Sequence, residues 1–324
     1  MRPNLHLTVV IPFRDRLDRL EELLRELAAQ EYPREELEIL ACDDGSRKDP
    51  WPTIAHYASL LPHLRLLQQP PKGPAAARNL GIRESRAPLI LFLDSDVLPA
   101  PGLLKALALA LIEHPHWLGA EAKIERIGQE GPLWDGPSCL HGGRYHTAAI
   151  AYRREALIQA GGFEEAFPFP ACEDVELAYR ILQRGPIGFV PQAIAYHPTR
   201  PVSLRIHWHW RCYWRYETIL AKRHGFISFP ENPSGRFPRM RVAWTAIFTL
   251  PMGRIFQALK YLRSQPGDAL WALGYGVFDV FCGIWALPNI LGTPIPPVRN
   301  YFTQRPRGNA FRSSVPASSA KGWE

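Results

Sequence analysis

The sequence predicts an α/β protein with a mostly parallel sheet covered by helices on both faces, followed by a helical region rich in Trp and Arg. Three observations carry this expectation. Short apolar runs alternate with segments of helical period through the first hundred residues. Three of those runs end in polar residues: Arg14 and Asp15, Asp43 and Asp44, Asp94 and Asp96. Beyond residue 200 the composition shifts, with twelve Lys or Arg between Arg200 and Arg263 opposed only by Glu217 and Glu231.

Leu7 to Ile11 is apolar and β-branched, which suits a buried strand. Leu17, Leu20, Leu23, Leu24 and Leu27 recur at helical spacing, with Glu and Arg on the other face. Leu37 to Cys42 forms a second strand, ending in Asp43-Asp44-Gly45-Ser46. A helix over Ile54 to Leu61 and a strand over Leu64 to Leu67 follow. Gly73 and Pro74 then open an alanine-rich helix that runs past Arg78 to Gly81. Leu89 to Leu93 is an unbroken apolar run, and it leads into Asp94-Ser95-Asp96. Carboxylates are rare at the end of a hydrophobic strand unless something polar sits there. Further on, Arg153 to Ala160 reads as a short helix stopped by Gly161-Gly162. Glu173-Asp174 opens an amphipathic helix ended by Gly185, and Ile187 to Ala195 is a strand leading to His197.

In open sheets of this kind ligands bind outside the carboxyl ends of the strands. Polar residues at three such ends point to a nucleotide site. No Gly-x-Gly-x-x-Gly follows the first strand and no Gly-x-x-x-x-Gly-Lys-Ser/Thr occurs anywhere. Phosphate binding therefore falls to a metal and a few side chains. Two carboxylates at i and i+2 suit a hard divalent cation that also carries phosphates.

The 324 residues can hold one large or two modest domains. The formal net charge is +7, whereas the stretch from Arg200 to Arg263 alone carries +10, so the basic surface is regional and a nucleic-acid partner is not expected. Cys42, Cys139, Cys172, Cys212 and Cys282 show neither metal-ligand spacing nor disulfide clustering, as expected for reduced thiols of a cytoplasmic protein. His141, His146, His207 and His209 show no zinc-type spacing. Met1 to His6 leads straight into the first strand, with no signal peptide expected.

Taken together, Val10-Ile11-Pro12, Asp43-Asp44-Gly45-Ser46, Gly73 to Gly81, Leu93-Asp94-Ser95-Asp96, Gly161-Gly162-Phe163, Glu173-Asp174 and His197 resemble the family 2 glycosyltransferases of GT-A fold, in a non-processive bacterial form. The resemblance covers roughly the first two hundred residues, in the family's order. It implies a catalytic domain over 1–200, with a nucleotide-sugar half at 1–100 and an acceptor half at 101–200. The helical region would span 201–300 and a disordered tail 301–324.

By the same resemblance, Pro12, Phe13, Arg14, Asp43, Asp44, Gly73, Arg78, Asp94 and Ser95 contact the nucleotide-sugar. Asp96, Asp94 and His197 hold Mn²⁺ or Mg²⁺. Asp174 is the general base of an inverting transfer, oriented by Glu173. Arg14 stands where the commoner form has Tyr, so the nucleobase would stack on a guanidinium plane and the donor stays open among UDP-, dTDP- and GDP-sugars. Each position also has a plainer reading: a solvated strand-end turn for Asp94 and Asp96, a turn before Gly45 for Asp43 and Asp44, helix capping for Glu173 and Asp174, a solvated helix residue for Arg78, a structural role for His197.

Six of the ten Trp lie between Trp208 and Trp285; Val242 to Leu250 is apolar, and Ala269 to Leu291 carries one charge, Asp279. These features fit a protein lying on the anionic inner face of the cell membrane, with a glycan or lipid-linked acceptor. The alternative is a helical subdomain packed on the catalytic body. A processive synthase is disfavoured because the Gln/Arg-x-x-Arg-Trp motif is missing. Other functional classes are a non-catalytic nucleotide-sugar or membrane-binding module of the same fold, and a sugar nucleotidyltransferase. The last would carry a Gly-rich loop where Pro12-Phe13-Arg14-Asp15 stands.

Overall fold

The computed structural model describes residues 6–166, 172–202, 214, 216–224, 250–292 and 297–302. The expectations placed on Trp208, Trp210, Trp244, His207, His209, Cys212 and most of the apolar run from Val242 lie outside those residues.

Four parallel strands form one side of the sheet: β1 (Leu7–Phe13), β2 (Leu37–Asp43), β3 (Leu64–Gln68) and β4 (Leu89–Leu93). Every residue of β1, β2 and β4 is buried, as expected of strands covered on both faces. Helix α1 (Leu17–Ala28) closes one face with Leu20, Leu23, Leu24 and Leu27, each worth about 2 kcal/mol of burial. Helix α2 (Trp51–Tyr57) starts and ends earlier than the predicted Ile54 to Leu61, because Pro50 and Pro52 fix its first turn. Helix α3 (Pro74–Glu84) covers the other face, and it lies so close that a Cβ on Gly81 would fall 2.4 Å from Val10 Cγ1.

The sheet then turns mixed. After the short β5 (Leu98–Pro99) and α4 (Leu103–Glu113) come β6 (Gly119–Ile127), β7 (Trp134–Asp135) and β8 (Ala149–Arg153). Then follow α5 (Arg154–Ala160), α6 (Glu173–Leu182), β9 (Ile187–Pro198) and β10 (Arg200–Pro201). The strand order is β3-β2-β1-β4-β8-β6-β9-β5 in a single eight-stranded sheet, so residues before and after 100 share one continuous sheet with a buried cluster on each face. Strand β8 runs antiparallel to β4, pairing Ala149 with Leu93. Strand β5 runs antiparallel to β9, pairing Leu98 with Tyr196. Both registers matter for the site. The first starts β8 where β4 ends, and the second lays the end of β9 beside the turn after β4.

A helical hairpin of α7 (Leu250–Tyr261) and α8 (Pro266–Gly292) follows. Residues 297–302 return to the body that carries the sheet. Tyr301 N–H donates to Gly161 O (3.0 Å), its hydroxyl donates to Glu164, and Phe302 packs over Gly162. The tail expected from residue 301 therefore does not include Tyr301 or Phe302, whose apolar rings and backbone bonds hold them on α5's carboxyl end. Residues 303–324 lie outside the described residues.

Candidate active site at the strand ends

The carboxyl ends of β1, β2 and β4 lie side by side, so Arg14, Asp44 and Asp94 share one rim of the sheet. Asp44 is buried, and its carboxylate accepts from Gln69 Nε2, Lys72 N–H and Gly73 N–H, each at 2.8 Å. Gly73 needs its left-handed φ of 98° to aim that N–H. One lone pair on Asp44 Oδ2 is left over, since only Gly73 uses that oxygen. Asp43 is a turn residue: it accepts from Ser46 N–H and Oγ and from Gln68 Nε2. Pro12 and Phe13 are buried beneath the rim, and Phe13 O accepts from Asp44 N–H (2.9 Å). Arg14 is exposed above it. Its neighbour Asp15 takes φ 56° and is tied to Arg47, whose backbone N–H and charge hold its carboxyl below the ordinary range.

Arg78 is buried and forms a strut. One Nη donates to Asp94 (2.9 Å) and the other to Glu173 (2.8 Å), while the guanidinium lies over the Phe163 ring. It joins the Asp94-Ser95-Asp96 turn after β4 to the start of α6, a link that the solvated-helix reading of Arg78 lacks. Asp94 keeps 31% of its side chain exposed and Asp96 only 5%, so Asp94 is the carboxylate that faces solvent. Ser95 between them is buried.

Asp96 Oδ2 accepts from Arg16 (2.8 Å) and contacts Arg200. Its Oδ1 lies 3.6 Å from His197 Nε2. His197 Nδ1 donates to Pro198 O (2.9 Å), which leaves a lone pair on Nε2 directed at the carboxylate. Burial lowers the His197 pKa, favouring that neutral form. Two lone-pair donors facing each other at this distance suit a cation between them, and the oxygen and imidazole donors fit Mg²⁺ or Mn²⁺. Among the described residues no cluster of three His, Cys, Asp or Glu is drawn tightly enough to hold a metal unaided. A cation here would share its coordination with donor phosphates.

Glu173 and Asp174 open α6 after Cys172, which takes the left-handed φ of 66°. Glu173 is fully enclosed, and burial together with the charge of Asp174 pushes its pKa up to about 7 against the pull of Arg78. Its Oε2 and Arg78 Nε are buried without hydrogen-bond partners among the described residues. Asp174 behaves oppositely. Burial raises its pKa, but the hydrogen bond and charge of His146, with Arg78, outweigh this and hold it below the ordinary carboxylate range. His146 Nδ1 sits 3.5 Å from Asp174 Oδ2. The carboxylate shifts His146 upward despite burial.

Sequence reasoning missed His146, and the register of β8 explains its arrival. A strand starting antiparallel at the end of β4 brings the residues just before it to the same rim. Buried Glu121 fixes that approach by accepting from the N–H groups of Gly143, Arg144 and Tyr145. Tyr145, directly before His146, takes φ 59°. Strained non-glycine backbone beside both His146 and Asp174 is the pattern of an over-determined functional site. Arg16 and Arg200 were also missed. The only signal for them was their place within two residues of Arg14 and Pro198.

Residues 8–137 match the family described as glycosyl transferase family 2. The matched segment runs from β1 through β7 and includes Asp44, Asp94 and Asp96. Among its relatives, the pre-mycofactocin glycosyltransferase of Mycobacterium tuberculosis is 29% identical over 212 residues, covering 60% of this chain. The chain spans 43% of the length of that relative. Staphylococcus aureus TarS 1-349, solved with UDP-GlcNAc, superposes with a TM-score of 0.53 at 19% identity over 88% of this chain and 89% of that one. The mannosyltransferase PcManGT of Pyrobaculum calidifontis, solved with GDP-Man and Mn²⁺, gives 0.55 at 18% identity over 91% and 89%. At these identities the two structures share the fold.

Proposed function

We propose that the chain transfers a sugar from a nucleotide-diphospho-sugar to a hydroxyl acceptor, with inversion and with a divalent cation. One observation carries the reading: Arg78 joins the Asp94-Ser95-Asp96 turn directly to the Glu173-Asp174 start of α6. A donor diphosphate at the first carboxylates would thus present its anomeric carbon toward the second.

Asp174 suits the general base. It is held ionised by His146 and Arg78, so through the neutral range it is ready to accept a proton. Its Oδ1 accepts from Val175 N–H (2.8 Å), which leaves Oδ2, shared with His146, as the working oxygen. The acceptor hydroxyl gives its proton to Oδ2 while its oxygen bonds to the anomeric carbon. The bond from that carbon to the diphosphate oxygen breaks on the opposite face. Glu173 anchors Arg78 and does not compete for the proton from its enclosed position. Asp96, His197 and Asp94 are the residues that would hold the cation. When bound, the cation offsets the charge developing on the leaving diphosphate. Asp44, with its unused lone pair, supports hydrogen bonding to a nucleobase N–H, and exposed Arg14 supports stacking on the ring. That a similar fold is solved with UDP-GlcNAc, and another with GDP-Man and Mn²⁺, supports a donor of this class.

The test is a panel of UDP-, dTDP- and GDP-sugars incubated with the protein and Mn²⁺ or Mg²⁺, with nucleoside diphosphate release as the readout. Release that stops on chelation and returns on adding metal is the expected result. Binding of every donor without turnover, across a broad acceptor set, would favour the non-catalytic module. Pyrophosphate release from a nucleoside triphosphate would favour the nucleotidyltransferase.

A further inference from the structure

The hairpin of α7 and α8 reverses the usual arrangement of a surface helix. The exposed side of α8 carries Leu270, Trp271, Val277, Phe281, Ile284 and Leu291, all between 49% and 64% exposed. After the adjacent pair Leu270 and Trp271 they recur at intervals of three to seven residues along one side, and no charged residue lies among the exposed positions there. From 270 to 291 the stripe runs about 30 Å. Helix α8 has two charged residues: Asp268 is half-buried in its first turn, and Asp279 is on the other side, buried and 2.9 Å from Arg254 of α7. Gly276 lets the helices touch there, since a Cβ on it would lie 2.7 Å from Ile255. Met252, Phe256 and Leu259 extend the exposed apolar surface on α7.

From this we infer that the outer face of the α7–α8 hairpin docks on the surface of an anionic lipid bilayer. Charge complementarity selects the occupant. Exposed Lys260 and Arg263 stand at the turn of the hairpin, beside exposed Leu262, within the stretch whose local balance is +10. An apolar stripe with an aromatic side chain and cations at one end is what a headgroup boundary accepts. Helix α8 is long and apolar enough to cross a bilayer. Crossing would carry the Arg254–Asp279 pair, near its middle, into hydrocarbon, at a cost that lying in the interface avoids.

The hairpin is also tied to the catalytic body. Gln265 in its turn donates to Glu130 O (3.3 Å), in the loop between β6 and β7, and β7 pairs with β10, which carries Arg200 against Asp96. Docking there would hold the strand-end rim at a fixed height above the lipid. This inference goes beyond the transfer reading and does not depend on it.

The test is flotation of the full chain with vesicles of phosphatidylcholine alone and of phosphatidylcholine mixed with phosphatidylglycerol. The protein is expected to float with the mixed vesicles. Trp271→Glu with Phe281→Glu should cut that binding by about tenfold or more while leaving the circular dichroism and melting curve unchanged. Lys260→Glu with Arg263→Glu should remove the preference for the anionic lipid. Should the face variant misfold, quenching of wild-type tryptophan emission by bromine-labelled lipids is an independent readout and is expected on mixed vesicles. Absence of both flotation and quenching in the wild type overturns the inference. So does a concentration-dependent dimer that the face substitutions abolish, because a second copy would then be the occupant.

Discussion

At the scale of single residues the site depends on opposed electrostatics at adjacent positions. Glu173 is pushed up to about 7 by burial and by Asp174, whereas His146 and Arg78 keep Asp174 low. Removing His146 therefore has a signed consequence. In His146→Ala the Asp174 carboxyl loses the partner that favours its charged form, so its pKa rises and the acid limb of the kcat/KM profile moves to higher pH. A purely structural role for His146 would lower the rate without moving the limb. His146 was illegible in the sequence because no motif surrounds it; only the pairing of Ala149 with Leu93 brings it in. Asp94 and Asp96 were legible for the opposite reason. They end an apolar run, and burying a carboxylate there has a cost that a bland turn does not explain.

Among the elements, α3 carries the tightest constraint. Its N-terminal Gly73 supplies an N–H to Asp44, its middle carries Arg78, and Gly81 lets it lie against β1. Gly81→Ala is expected to destabilise the fold by about 1–3 kcal/mol, measured by denaturant unfolding, because Val10 on a fully buried strand has no room to yield. The parallel strands β1 to β4 were readable because continuous apolar runs between helical-period segments leave few other solutions. Strands β6 and β8 were not. Gly119–Ile127 interleaves Glu, Lys and Arg with small apolar residues, and Ala149–Arg153 has only five residues, so neither declares its period. That gap is why the antiparallel insertion, and with it His146, escaped the sequence reading. Residues 301 and 302 escaped for a related reason: an Arg-, Gly- and Pro-rich context hides two aromatic anchors that the distant Gly161-Gly162 turn receives.

For the whole molecule, a buried charge network fastens the helical residues 216–224 to the catalytic body. Glu176, on α6 two residues past Asp174, accepts from Arg180 and Arg223 and lies 3.4 Å from His224; Arg223 also reaches Glu164. Burial alone would raise the Glu176 pKa, but His224, Arg180 and Arg223 outweigh it and bring it down to about 2. The folded-state value is depressed, so the linked stability is fully present above the ordinary 4.5 and is lost as pH falls through about 2. Its size is roughly 3 kcal/mol. Glu176→Gln should be less stable at neutral pH and show a flatter stability profile between those two pH values, read by urea unfolding at a series of pH. This link makes the start of α6 dependent on residues beyond 200, which the division at residue 200 did not anticipate.

The most direct measurement sets Asp174→Asn beside Asp96→Asn, with donor binding and single-turnover transfer recorded for each in the presence of Mn²⁺. Asp174→Asn should bind donor and metal like the wild type yet transfer about a hundredfold to ten-thousandfold more slowly. Asp96→Asn should lose the metal-dependent part of donor binding itself. Unchanged transfer by Asp174→Asn, or metal-dependent donor binding untouched by Asp96→Asn, would contradict the division of labour between the two carboxylate pairs.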